Sequence, residues 1–351
     1  MHTCAPMWVV AVIPMGGRMP VTIKDIARVA GVSHTTVSRA LKGNPAISIE
    51  TTDRIRKIAQ QMGYTPSAVA QSLLSQRTQT IGMVITTIAD PFVVRVVEGV
   101  EGVAQAADYS VFLATSHNNP NQENAVVETL HRRRVDAIIV TSSRVGSLYS
   151  SRLEQIKIPI VLINNQEEGE YLHSIRSNDI QGARLAVEYL LGLGHRRIGY
   201  LGCTNRPRSN QRRLSGYQAA LQQAGIQPDP NLIANVAADT DIERGKAGFH
   251  LYAQAGATAV FCFNDLTAIG LMMEARRQGV AVPAQLSVMG FDNIEAAMYV
   301  TPPLTTVAQP LLELGRQAMQ MTLALLDGKL VHDIRLPCTL VERESVAAPG
   351  R

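Results

Sequence analysis

"GVSHTTVSRALKGN", residues 31–44, decides how the N-terminal part of the chain is read. Gly31 suits the positive φ of a sharp turn. Ser33 can cap a helix, because its hydroxyl can accept a hydrogen bond from a backbone N–H two or three residues on. The helix that follows is expected to end near Leu41. On a helical wheel Val37, Ala40 and Leu41 point inward, while Thr35, Ser38, Arg39 and Lys42 point outward together. His34 lies at the edge of that face, in the first turn.

Upstream, Thr22 and Asp25 have the spacing of a capping box. They predict a first helix to about Ala30, with Ile23, Ile26, Ala27 and Ala30 on one face. Downstream, Ser48 caps a third helix whose apolar positions Ile55, Ile58, Ala59 and Met62 follow the i, i+3, i+4, i+7 pattern. A helix-turn-helix needs a small residue where helices cross, glycine at the turn and a β-branched apolar residue in the second helix. Ala27, Gly31 and Val37 stand in those places. Thr and Ser can bond base edges, and Arg is the commonest reader of guanine in a major groove. An ordinary three-helix cap with a solvated polar face has the same spacing.

Charge separates these readings. Across residues 21–80, eight basic side chains meet only Asp25, Glu50 and Asp53, a net +5, whereas the whole chain carries +4. With Arg18 in the first twenty residues, the long remainder is slightly acidic. A basic head on such a body points to a polyanion. Next comes "YTPSAVAQSLLSQRTQTIG", residues 64–82. Pro66 breaks the chain and Ser67 can cap a short helix containing Val69, Ala70, Leu73 and Leu74. A helix this short is marginal in water unless something orders it.

From Ile81 onward, short apolar runs alternate with helical pattern. "IGMVI", "YSVFLATS", "VDAIIVTSS" and "IPIVLIN" form one series. The alternation restarts with "RIGYLGC", "TAVFCFN" and "LSVMGFD". This predicts an α/β body with two doubly wound parallel sheets in two lobes. Ligands of such sheets bind beyond the carboxyl ends of the strands, here between the lobes. Polar residues gather at those ends: "ADPF" after the first strand, Asn164 and Asn165 after the fourth, then Asn264 and Asp292. Arg213 opens a helix after "YLGC". Arg, Asp and Asn together suit a hydroxyl-rich ligand, and Phe92, Phe291 and Tyr217 can supply apolar contact. Asn264 and Asp292 also read as plain helix caps, and Arg213 as a surface arginine.

The pieces "VTIKDIARVAGVSHTTVSRAL", "GYTPSAVAQSLLS" and "TIGMVI" together resemble the lactose-repressor/galactose-repressor family of bacterial transcription regulators. The resemblance extends to about residue 345 through "GHRRIGYLG", "RLSGYQAAL", "FCFNDLTAIG", "LSVMGFDN" and "TPPLTTVAQP". It implies a helix-turn-helix head over 21–66, a hinge over 67–80 and a periplasmic-binding-protein-like effector and dimerisation body over 81–345. It implies a repressor that binds double-stranded operator DNA as a homodimer in the bacterial cytoplasm. His34, Thr35 and Arg39 match the family's base readers, and Leu73 the wedge that hinge helices drive into the minor groove. Thr22, Ser33, Thr36, Ser38, Lys42, Ser67 and Ala70 complete the DNA-contacting set. Arg213, Asn264 and Asp292, and more loosely Asn164, Phe92 and Leu311, match effector contacts. The effector implied is a sugar, sugar acid, polyol or similar small polar molecule. Where sugar-responsive members carry Trp or Phe, this chain has "DTDIERG", which places Ile242 or Glu243 there and disfavours a simply stacked sugar.

Other classes fit less well. "LGLGHRRIG" contains G-x-G, but it follows a helix and precedes a strand, the reverse of a nucleotide-binding turn. No catalytic motif is present, so neither enzyme activity nor a cofactor or metal is expected. Cys4, Cys203, Cys262 and Cys338 are scattered, which suits a reducing compartment. An extracytoplasmic solute-binding protein would share the body but has no use for the basic head. Residues 1–20 are expected to be a tail or a mis-assigned start, with translation beginning at Met19. Without a heptad segment after the body, a dimer is expected over a tetramer.

Overall fold

The computed structural model describes residues 21–64, 77–145, 158–167 and 173–350. The chain divides into two compact units at Arg77. Ser67, Ala70 and Leu73, with most of the expected hinge, lie outside the described residues, as does the tail 1–20.

The first unit holds α1 (Ile23–Ala30), α2 (His34–Leu41) and α3 (Ile49–Gln61). Thr22 and Asp25 form the capping box, and Gly31 ends α1 at φ 64°. The Ser33 hydroxyl accepts the Thr36 N–H at 3.1 Å and starts α2. Ile26, Val37, Ala40 and Ile55 are fully buried between the three helices. Burying a side chain of this size contributes about 1.5–3 kcal/mol. Arg54 of α3 donates to the Ala30 carbonyl at 3.2 Å, fixing α3 to an otherwise open helix end. Leu41 is half-buried at the rim of this core.

The second unit is the two-lobed α/β body. Its strands are β1 (Thr80–Ile85), β2 (Ser110–Thr115), β3 (Ala137–Thr141), β4 (Ile160–Ile163), β5 (Ser174–Ser177), β6 (Ile198–Gly202), β7 (Ile233–Asn235), β8 (Ala259–Cys262), β9 (Ser287–Asp292), β10 (Thr305–Ala308), β11 (Ile334–Leu336) and β12 (Thr339–Val341). Its helices are α4 (Pro91–Ala106), α5 (Pro120–Arg132), α6 (Asp179–Gly192), α7 (Pro207–Gln223), α8 (Asp241–Gln254), α9 (Asp265–Arg277), α10 (Ala296–Tyr299) and α11 (Leu311–Leu326). The sheets run β2-β1-β3-β4-β5-β11 and β7-β6-β8-β9-β10-β12, the same winding twice. Among the described residues, only β12 is antiparallel to its neighbour. The seven apolar runs are the central strands and β2. The strands that periodicity missed, β5, β7, β10, β11 and β12, have three or four residues each.

Among the described residues the chain crosses between lobes three times: Ser177 to Asp179, Ala308 to Leu311, and Leu336 to Thr339. The Asn178 N–H donates to the Leu336 carbonyl at 2.8 Å, joining two of the crossings. The helix entered at the second crossing is anchored hard. A β-carbon on Gly99 of α4 would fall on the Leu312 carbonyl of α11, and one on Gly315 would fall on that of Val96. Only glycine permits this approach.

Candidate nucleic-acid interface and effector cleft

In the first unit, His34, Thr35, Arg39 and Lys42 stand exposed on α2, with Ser38 half-buried beside them. Ser33 and Thr36 are occupied with each other, their hydroxyls 2.9 Å apart at the helix start. Thr22 spends its hydroxyl on Asp25, at 2.7 Å. The helix therefore presents a polar face whose first turn is fixed by caps and whose opposite face is core.

In the second unit, the loops after β1 and β4 meet those after β6, β8 and β9. Arg206, the residue before α7, reaches across the lobes to Asp90, the cap of α4, at 2.7 Å. It also lies 3.9 Å from Asp241. Gln166 of the first lobe exchanges hydrogen bonds with Ser209 of the second at 2.9 and 3.2 Å. Behind them, Arg213 donates to Asp179 at 2.9 Å and to the Phe263 carbonyl, and lies 3.8 Å from Asp292. Its guanidinium covers the Phe291 ring at 3.8 Å and the Phe263 ring at 4.4 Å. Asn264 does two things: its carbonyl oxygen caps α9 through the Thr267 N–H at 2.9 Å, and its amide donates to Asp241 at 2.7 Å. Arg244, fully buried, clamps Asp241 from behind and donates to the Val236 carbonyl at 3.0 Å.

Residues 22–67 match the family described as "Bacterial regulatory proteins, lacI family", and residues 187–346 match a "Periplasmic binding protein-like domain". The chain is 34% identical over 330 residues to the ribose operon repressor of Haemophilus influenzae, covering 93% of this chain and 98% of that protein. It is 34% identical to the HTH-type transcriptional repressor CytR of Escherichia coli (strain K12), covering 93% and 96%. The lac repressor dimer bound to operator and the anti-inducer ONPF superposes with a TM-score of 0.83 at 27% identity, covering 94% of this chain and all of that one. The chain belongs to the lacI family of bacterial regulatory proteins. It is a DNA-binding transcriptional repressor with a ligand-binding domain, not an enzyme.

The electrostatics of this lacI-family repressor's cleft follow from burial against pairing. Burial opposes the charge on Arg206 and on Arg213, but their aspartates more than offset it and hold both guanidiniums above their usual range. Burial also opposes ionisation of Asp241, yet Arg206 and Arg244 pull its carboxyl below the usual value. Asp292 goes the other way: burial pushes it up to about 7, despite Arg213, Arg206 and the Gln309 amide at 2.6 Å. Its backbone sits at φ 121°, an unusual conformation for a residue with a side chain. Asp265, next to it, is pushed up by burial and by the Asp292 charge.

The other sequence candidates are placed as follows. Asn164 accepts the Ser177 N–H at 3.0 Å and so braces the first lobe crossing. Leu311 lines a cavity of about 320 Å³ together with Asp292 and Gln309. Phe92 packs in the first-lobe core, and Tyr217 donates to the Ile198 carbonyl at 2.7 Å, at the far end of β6. After the Thr240 cap of α8, Asp241 reaches Arg206 and Arg244, Ile242 packs against the second-lobe core, and Glu243 pairs with Lys246 at 3.2 Å. Arg206, Asp179, Asp241 and Phe263 were not singled out from the sequence, and Asp90 only within "ADPF". The available signal was positional: Asp90 and Asp179 each stand where a strand-to-loop segment becomes a helix, the places that also hold caps. His195, in "LGLGHRRIG", is held by Thr258 at 2.9 Å and the Ala347 carbonyl at 2.8 Å, with burial lowering its basicity. Cys203, Cys262 and Cys338 are free and buried. Among the described residues no cluster could hold a metal, and no helix is long and apolar enough to cross a membrane.

Proposed function

We propose that the repressor binds a pseudo-palindromic operator as a homodimer in the bacterial cytoplasm, and that a small polar effector in the cleft controls its affinity. Residues 21–66 are the reading head, 67–80 the hinge and 81–345 the effector and dimerisation body. In the head, α2 enters the major groove with His34, Thr35 and Arg39 at base edges, while Thr22, Ser33, Thr36, Ser38 and Lys42 serve the backbone and the flanks. Ser67, Ala70 and Leu73 are assigned to the minor groove.

The carrying observation is the Arg206–Asp90 pair joining the lobes at 2.7 Å. A ligand entering the cleft has to displace or extend this pair, so occupancy and lobe geometry are linked. The cleft offers Asp90, Asp241 and Asp292 as acceptors, Arg206 as donor and Asn264 as both. Both cleft aromatics already carry an arginine on their faces. That favours a sugar or sugar derivative held by hydrogen bonds rather than by stacking.

The dimer reading rests on exposed apolar surface. The edge strand β2 shows Phe112 and Leu113 at 51% and 47% exposure, beside a groove of about 500 Å³ against α5. Leu251 and Met273 are similarly exposed on the second lobe. An uncovered apolar edge strand invites pairing, and a second copy would cover it. Sedimentation of the full chain with and without a selected duplex tests this. Two chains per duplex is the expected result, and one chain per duplex would contradict it. A thermal-shift screen of sugars, sugar acids, polyols and purines should find a ligand that raises the melting temperature.

A further inference from the structure

A second charged site lies on the outer side of α7, away from the effector cleft. The sequence places Arg208 and Arg212 one turn apart on this helix. Ser209 and Arg213, one step round, face the cleft partners described above. The outward pair faces β5 and β11 of the other lobe. Those strands are parallel neighbours with Arg176 directly opposite Arg335, so both side chains leave the sheet on one face. Arg176, Arg208 and Arg212 line one recess together with Asn165, Ser174 and Asp333.

Acidic compensation there is thin. Asp333 accepts the Ser174 N–H at 3.0 Å, and Asp179 is taken by Arg213 at 2.9 Å. Among the described residues, none of the four arginines forms a salt bridge, whereas the cleft arginines 206, 213 and 244 all do. The recess is about 20 Å³, room for a group of about the size of one water, so it is an open notch that would seat one or two oxygens of a larger anion and is too small for a sugar ring. Burial, then the neighbouring positive charges of Arg176, Arg208 and Arg335, pull Arg212 down to about 10, partly offset by Asp179. Asp179 and Asp333 offset the four guanidiniums only in part, so the recess keeps a positive balance.

We propose that this recess is an anion site that takes a phosphate group, gripped by Arg176 from the first lobe and Arg208 and Arg212 from the second, with Arg335 at its rim. Guanidinium forks match phosphate oxygens bidentately, and four of them favour a dianion over a carboxylate. Because the arginines come from both lobes beside the first crossing, the anion replaces repulsion across the lobe junction with attraction. It thereby holds the lobes in one relative setting and couples to the cleft on the other side of α7. The phosphate is either the free ion or the terminal group of a metabolite whose remainder projects into solvent.

The test is calorimetric titration of the full-length repressor with inorganic phosphate and, in parallel, with glucose 6-phosphate and glucose, at ionic strength matched with sodium chloride. The wild type should bind phosphate, or glucose 6-phosphate but not glucose, at a single saturable site. Saturation by inorganic phosphate assigns the free ion, and saturation by the sugar phosphate alone assigns a phosphorylated metabolite. Arg208→Ala/Arg212→Ala should weaken that binding at least tenfold, and Arg335→Ala, an exposed position whose change should spare folding, about threefold. Arg277→Ala, exposed on α9 and outside both sites, should leave it within twofold. The proposal is overturned if neither phosphate compound binds the wild type. Equal affinity in the wild type, the double variant and Arg335→Ala overturns it as well.

Discussion

The head and the cleft use polar side chains in opposite ways. On α2 the candidate readers stand exposed, and the cap Ser33 is taken up by the Thr36 N–H and hydroxyl. In the body the polar groups are buried and bound to one another: Arg213 with Asp179 and Asp292, Arg206 with Asp90 and Asp241. A surface that reads DNA must offer unsatisfied donors and acceptors on a rigid frame. A cleft that switches must hold an alternative set of partners for the groups that its ligand displaces.

The largest expected effect breaks the buried side of this contrast. Arg213→Ala leaves Asp179 and Asp292 buried without their cation and should destabilise the body by about 3–5 kcal/mol, read by urea denaturation. The head should be unaffected. Arg39→Ala, on the exposed side, should cost no folding stability, yet weaken specific DNA binding by about 1–3 kcal/mol and relax one base position. Competition between specific and mismatched duplexes measures it.

The third prediction uses proton linkage. Asp292 titrates near 7 when folded, against about 3.9 in an unfolded chain. Between these values the folded state holds the extra proton, so the contribution of Asp292 to stability falls as pH rises through that window. Asp292→Asn cannot titrate. The wild type should therefore lose about 1–2 kcal/mol relative to this variant between about pH 6 and 7.5, and parallel denaturation curves at several pH values check it. Smallest is Ser33→Ala, which removes the α2 cap and should cost about 1 kcal/mol of head stability, visible as a lower melting temperature of the head's helical signal.

How far the sequence carried the reading also divides along this line. In the head, Gly31, Ser33, Val37 and Arg39 lie within nine residues, and local rules of capping and periodicity place each of them. In the body, Arg213, Asn264 and Asp292 were legible because they end strands or open helices of a repeating pattern. Arg206–Asp90 and the Gln166–Ser209 bridge were not, since they join residues 116 and 43 positions apart through a lobe junction that no local pattern encodes. The aromatics were hard to sort for a related reason. Phe92, Tyr217, Phe263 and Phe291 carry the same apolar signal, and only the packing shows that Arg213 lies over Phe263 and Phe291. The strands missed, such as β5 and β11, are too short for alternation to register, yet they carry Arg176 and Arg335.

The central claim is that one unit reads DNA and the other only tunes the affinity. Its most direct test is selection of bound duplexes from a random pool by the wild type, Arg39→Ala and Asp90→Asn. Arg39→Ala should lose base preference at one position in each half-site. Asp90→Asn, which cuts the bridge between the lobes, should keep the wild-type preference while its overall affinity or effector response shifts. An unchanged preference in Arg39→Ala, or a rewritten one in Asp90→Asn, would contradict that division.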